Sequence, residues 1–205
     1  MRVIAGTYRS RPLIAPRGQH TRPTSDRLRE TLFNILAPRI SGANFADLYA
    51  GTGAVGIEAL SRGAAHILFA ERASPAVNVL RSNLQTLGIA NGFTLEARGA
   101  LAALDSFLDR SHSGLPDATH ERRQTNSPPP SAFNIIFLDP PYEAASEYAS
   151  ILALLGSARA QSLLAPNALI VAEHSSKSPL AESFGLLRQT RTLKQGDAAL
   201  TFYSR

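Results

Sequence analysis

Asp47-Leu-Tyr-Ala-Gly-Thr-Gly-Ala-Val-Gly56 reads as the end of a strand, a glycine-rich turn and the start of a helix. The run at 44–49 is short, mostly apolar and punctuated by an acid, and residues 54–62 suit a helix ended by Gly63. Gly51, Gly53 and Gly56 fit the G-x-G-x-x-G spacing. Without a Cβ the backbone turns sharply and lies against a ligand, and the third glycine lets the helix pack on the strand. The first N–H groups of that helix have no partner within it and face the ligand. A nucleotide-like molecule is therefore expected beside Gly51, Thr52 and Gly53, with Asp47, Tyr49 and Ala50 leading into the turn. Many glycine-rich turns only turn. The strand before this one and the helix after it are what point to a ligand.

Outward from the turn, strand and helix alternate. A strand at 66–71 leads to a helix with Ser74 as cap, Pro75 at its first position and Gly88 beyond its end. A weaker strand at 93–97 precedes a helix at 101–108. Residues 133–138 are continuously apolar, as in a strand buried on both faces, and 168–174 is another. Between these two lies a helix at 145–155, and 184–193 with 198–203 read as a closing antiparallel hairpin. This is a doubly wound, Rossmann-like α/β sheet, mostly parallel, with its ligand at the carboxyl ends of the strands. Residues 1–40 form a basic N-terminal extension, a hairpin or extended arm followed by a helix. The helix is capped by Thr24 or Ser25, buries Leu28, Leu32, Ile35 and Leu36, and is stopped by Pro38. Residues 41–205 form the main domain, and 111–132, polar and proline-rich, a flexible surface insertion within it.

At 205 residues the chain is long enough for one well-buried core. It has no cysteine, and its five histidines are scattered, so no metal site is expected. No stretch is apolar for long enough to cross a bilayer, and residues 1–9 lack a signal peptide's apolar core, so a cytoplasmic location is expected. Charge is informative by position. Residues 1–40 hold eight arginines and two acids, a charge of +6, whereas the whole chain carries +5 and the remainder is nearly neutral. A solvated surface would explain arginines spread evenly. Their concentration in one segment favours a face for a polyanion, because the guanidinium fork matches phosphate and stacks on bases.

Two acids then define the chemistry. Glu71 ends the second strand 20 residues after Gly51, the offset of an acid that accepts both hydroxyl protons of a ribose. That suits NAD and S-adenosylmethionine equally. Asp139-Pro-Pro-Tyr142 follows a buried strand at the edge where ligands bind. Two prolines stiffen the backbone and remove two N–H groups, leaving carbonyls as fixed acceptors. Asp139 and the Pro140 carbonyl would accept the two N–H bonds of an exocyclic amine, and Tyr142 would stack on its ring. An NAD-dependent oxidoreductase leaves this stretch and the basic segment unexplained. A non-catalytic RNA-binding assembly protein leaves the glycine turn unexplained.

The motif D/N-P-P-Y/F resembles that of methyltransferases that use S-adenosylmethionine to modify amino groups of nucleobases in RNA or DNA. Arg22-Pro-Thr-Ser-Asp-Arg-Leu-Arg-Glu-Thr-Leu-Phe-Asn34, the block from Tyr49 to Arg62 and Phe137-Leu-Asp-Pro-Pro-Tyr142 together resemble the bacterial RsmD family. The likeness runs from Arg2 to Tyr203, apart from the insertion. It implies a seven-stranded methyltransferase sheet, and a monomer is expected. The reaction implied is methylation of a guanine N2 in 16S ribosomal RNA, within an assembled small-subunit particle. Asp47, Tyr49, Ala50, Gly51, Thr52, Gly53, Glu71, Arg72, Gly99, Ala100 and Asp139 are then expected to hold the cofactor. Asp139, Pro140 and Tyr142 would act on the target amine. Arg9, Arg11, Arg22, Thr24, Arg27, Arg29 and Pro141, with Tyr142, would meet RNA. One departure is local. Where such enzymes often carry an acid and then a small residue after the third strand, this chain has Glu96-Ala-Arg-Gly-Ala100. The adenine amine is therefore assigned to the backbone near Gly99 and Ala100.

Overall fold

A computed structural model describes residues 1–15, 26–113, 123–125, 130–141 and 144–205. The strands are β1 (Asn44–Asp47), β2 (His66–Ala70), β3 (Phe93–Glu96), β4 (Arg123–Thr125), β5 (Phe133–Leu138), β6 (Leu164–Ser175), β7 (Ser183–Phe184), β8 (Leu187–Gln195) and β9 (Ala198–Ser204). They form one sheet in the order β4-β3-β2-β1-β5-β6-β9-β8-β7. The run from β3 to β6 is parallel, and β9 returns antiparallel between β6 and β8. The seven expected strands are those between the two short edge strands β4 and β7, and β8 with β9 is the expected hairpin.

The alternation of side chains along each strand builds two cores. On one face Phe45, Ile67, Phe69, Ile135 and Phe137 pack with α1 (Asp26–Ile40), α2 (Ala54–Ser61) and α3 (Ser74–Thr86). On the other face Ala46, Leu68, Ala70, Ile136 and Leu138 pack with α4 (Ala100–Ser113) and α5 (Ala145–Gly156). A strand covered on both faces has no polar side to show, which is why β5 reads as an unbroken apolar run.

Three expectations need correction. Pro38 does not stop α1, which runs on to Ile40. Within the last turn the lost N–H and the ring's clash affect little of the helix, and Ile40, only 4% exposed, is held in the core. Part of the expected flexible insertion is ordered: residues 111–113 continue α4, and 123–125 pair antiparallel with the free edge of β3. A backbone edge needs hydrogen-bond partners whatever the side chains are, so a polar stretch can supply a strand. Residues 114–122 and 126–129 of the insertion lie outside the described residues. Third, Ser74 is not the cap of α3. Ala73 occupies that position without a side-chain bond, and its N–H is taken by the Glu71 carboxylate at 2.7 Å.

The N-terminal residues join this core. Arg2 and Pro12 form a single antiparallel bridge, so the segment doubles back on itself. Val3 and Leu13 are buried in the same cluster as α1 and the sheet. Residues 4–8 strap across α2. The N–H groups of Ile4 and Ala5 donate to the Glu58 carboxylate at 2.7 and 3.0 Å, and those of Thr7 and Tyr8 donate to Ser61. Gly6 is required in the strap: its φ is +83°, and a Cβ there would lie 1.8 Å from the Ser61 carbonyl oxygen.

Candidate cofactor and catalytic site

The sheet order reverses direction at β1, whose neighbours are β2 on one side and β5 on the other. A crevice opens at such a point, where loops from adjacent strands diverge. Pairing of Asp47 with Phe69 and with Phe137 sets the ends of the three strands side by side. The loops that follow them carry the glycines, Glu71 and Asp139-Pro140. The tertiary structure therefore brings together the stretches singled out in the sequence.

The glycine loop is built as its spacing requires. Gly51 and Gly53 have φ of +53° and +82°. A Cβ on Gly51 would meet nothing within 4 Å, so the space over it is open. A Cβ on Gly53 would lie 2.1 Å from Leu80, and one on Gly56 2.2 Å from the Phe69 ring. Gly53 and Gly56 thus permit close packing within the protein, while Gly51 faces open space. Gly53 caps α2 with no side-chain bond, and the third N–H of that helix, from Gly56, goes to Asp47.

Glu71 reaches back across this loop. Its carboxylate accepts the N–H of Gly51 at 2.9 Å and that of Ala73 at 2.7 Å. It therefore positions the loop. Asp47 sits beneath, 1% exposed, and accepts the Gly56 N–H at 2.9 Å. Burial pushes its pKa up to about 7, against the lowering effect of the Gly56 bond, with the Glu71 charge adding to the rise. The Asp47 carboxylate holds the loop to α2 from inside.

Tyr49 and Arg72 meet through a residue the sequence did not mark. The Tyr49 hydroxyl donates to Glu147 at 2.5 Å, and Arg72 pairs with the same carboxylate at 3.3 Å. Burial, then the Glu147 hydrogen bond and charge, hold the Tyr49 phenol well above its ordinary pKa. Glu147 lies in the first turn of α5, so it ties the helix after Asp139-Pro-Pro to the loops after β1 and β2. Asp139 is partly exposed, Pro140 is buried and Pro141 is exposed. The buried Tyr148 hydroxyl lies 3.2 Å from the Pro140 carbonyl and 2.6 Å from that of Glu173, anchoring the turn to β6. Glu147 and Tyr148 follow the motif by one helical turn. Nothing in their spacing marks them, and only the fold directs them to it. Tyr142 lies outside the described residues.

Beyond β3, Gly99 and Ala100 stand at the entry to α4, with the Gly99 carbonyl accepting the Ala103 N–H. Glu96 is fully buried and pairs with Arg98 at 2.9 Å. The arginines of the N-terminal segment divide. Arg9, Arg11 and Arg27 are exposed, whereas Arg22 and Thr24 fall outside the described residues. Arg29 must be withdrawn from the RNA face. Its side chain is fully buried, donates to the Arg2 carbonyl at 2.6 Å and to Asp26 at 3.0 Å, and lies 4.0 Å from Glu58. Its charge is spent inside the protein. Among the described residues no cluster of His, Cys, Asp or Glu could hold a metal ion, and no helix is long and apolar enough to cross a membrane.

A family model described as conserved hypothetical protein 95 matches residues 1–204. YlbH of Bacillus subtilis, provisionally named an rRNA methyltransferase, is 34% identical over 205 residues, 100% of this chain and 99% of that protein. The ribosomal RNA small subunit methyltransferase D of Haemophilus influenzae is 35% identical over 196 residues, 94% of this chain and 89% of that protein. Among solved structures, YhhF of Escherichia coli superposes with a TM-score of 0.76 at 31% identity, covering 100% of this chain and 97% of that one.

Proposed function

The chain belongs to the RsmD family, whose model is described as conserved hypothetical protein 95, and from that membership we propose that it methylates the N2 amine of a guanine in 16S ribosomal RNA. The methyl donor is S-adenosylmethionine. The observation that carries the reading is the junction of two loops at the switch point: the glycine turn with Glu71 bound to Gly51 at 2.9 Å, and Asp139-Pro140 beside it.

The residues fit that cofactor. Open space over Gly51, the helix start behind Gly53 and the Glu71 carboxylate match a ligand carrying a ribose and an anionic group. Glu71 would take the ribose hydroxyls and Gly51 to Gly53 would lie along the chain beyond. Gly99 and Ala100 would meet the adenine. When bound, the cofactor supplies a methyl group made electrophilic by a sulfonium.

Guanine N2 is a poor nucleophile because its lone pair is delocalised into the ring. Hydrogen bonds from N2 to Asp139 and to the Pro140 carbonyl would favour a tetrahedral nitrogen and localise that pair. Tyr142 would stack on the base. The rate gain on this account comes from positioning and from dipoles fixed beforehand. Tyr148 and Glu147 contribute by holding the turn still. The base has to leave its stack, at a cost of a few kcal/mol that contacts to phosphate help offset. Arg9, Arg11, Arg22, Thr24 and Arg27 would make those contacts and Pro141 would lie against the RNA, with the enzyme acting as a monomer in the cytoplasm on an assembled small subunit.

Labelled methyl transfer to small subunits, with mass-spectrometric mapping of methylated guanines, tests the reading directly. Asp139→Ala is expected to abolish transfer while costing far less in S-adenosylhomocysteine affinity, and Asp139→Asn to be milder because its amide oxygen still accepts one bond. Near-normal turnover in Asp139→Ala would remove Asp139 from the chemistry.

A further inference from the structure

We propose that Asn83 is a positioning residue that couples the N-terminal segment to the cofactor loop, so that RNA docked on the segment tightens cofactor binding. The inference rests on the RNA-methylating role proposed above. Asn83 belongs to α3 and is 1% exposed, far inside the surface where an amide is ordinarily found. Its Nδ2 donates to the Thr52 carbonyl at 2.9 Å and to the Ile14 carbonyl at 3.1 Å. Its Oδ1 accepts the Ile14 N–H at 2.7 Å. Both donors and the acceptor of the side chain are thus engaged, and no other residue type of this size offers that set. Aspartate would turn an acceptor toward two carbonyls; leucine would leave three backbone groups without partners.

The partners give the contact its meaning. Thr52 lies between Gly51 and Gly53, in the loop that faces the cofactor. Ile14 leads directly into the arginine-bearing residues 16–25. Three residues earlier Arg11 donates to the Thr86 carbonyl at 3.1 Å, a second tether on the same helix. One buried amide therefore holds the RNA-facing segment and the cofactor loop at once. When Ile14 leaves, the amide is free to rotate and the Thr52 carbonyl loses a fixed donor. RNA that pins the segment against α3 removes that freedom and pre-orders the loop. By linkage, the cofactor raises RNA affinity by the same factor.

Equilibrium dialysis of radiolabelled S-adenosylhomocysteine, with and without small ribosomal subunits from cells lacking this protein, tests the coupling. For the wild type, affinity should rise about fivefold or more when subunits are present. Asn83→Ala should weaken binding about threefold to tenfold without subunits and should abolish the rise. Ile14→Pro supplies the second arm. It removes the N–H that Asn83 accepts, at a side chain 48% exposed, and changes no residue of the cofactor loop. It too should abolish the rise, which a loop prop unconnected to the segment would not do. A rise that persists in Ile14→Pro overturns the proposal, as does its absence in wild type that binds and methylates subunits. Subunits that neither bind nor accept methyl would sink the functional reading itself, and the proposal with it.

Discussion

Asp47 is a carboxyl group with almost no access to water, kept because its oxygen fastens the glycine loop to α2 through Gly56. Its pKa stands at about 7 in the folded protein, against about 3.9 for an unperturbed aspartate. The sign follows from proton uptake. Between about pH 4 and about pH 7 the folded state keeps a proton that the unfolded chain has released, so stability falls as pH rises through that window and levels off above it. Asp47→Asn removes the titration but retains an oxygen for the Gly56 N–H. The melting temperature of the variant minus that of the wild type is expected to grow from pH 4 to pH 7 and then stay constant. A difference independent of pH would assign the slope to other groups.

At the scale of elements, α2 is the hub. Its first turn borders the crevice, while Glu58 and Ser61 further along carry the N-terminal strap. Glu58 is fully buried and serves the N–H groups of Ile4 and Ala5 together with Arg62 at 2.7 Å and Arg29 at 4.0 Å. Removing this carboxylate leaves the two amides without it, takes from Arg62 its partner at 2.7 Å, and leaves Arg29 with Asp26 and the Arg2 carbonyl. Glu58→Ala should therefore cost about 3–5 kcal/mol in urea unfolding, as when one partner of a buried pair is deleted. Glu58→Gln should cost less, since it still accepts. Trypsin should cut after Arg9, which Ser10 follows, faster in Glu58→Ala than in the wild type. Equal cleavage rates would mean that Gly6 and Ser61 hold the strap by themselves.

Across the whole molecule the sign of charge is segregated, with the basic excess in residues 1–40 and the rest nearly neutral. Burial of Arg29 removes one member of that set, but Arg9, Arg11 and Arg27 remain on the surface. If these neutralise phosphates, RNA binding releases counterions and weakens steeply with salt. Arg9 and Arg11 replaced together by alanine should lower subunit affinity and reduce the salt slope by about 2, one unit for each phosphate that is no longer neutralised. The measurement is a binding titration at several salt concentrations. Identical slopes for the two proteins would show that this face is only solvated.

The order of strands and helices was legible in the sequence because burial on both faces writes itself as apolar runs, and because the glycines stand where only glycine fits. The two loops of the candidate site, Gly51 to Gly53 and Asp139-Pro140, stand out in the sequence for the same local reason: each is a run of adjacent residues. What lay beyond reach depends on distance along the chain. Glu147 serves Tyr49 from 98 positions away, Asn83 serves Ile14 from 69, and Glu58 serves Ile4 from 54. A buried acid, amide or arginine looks in sequence like any surface polar residue, as Arg29 did among its neighbours. Only packing assigns such a group its partners, because a polar side chain removed from water must hydrogen-bond whatever the fold sets beside it.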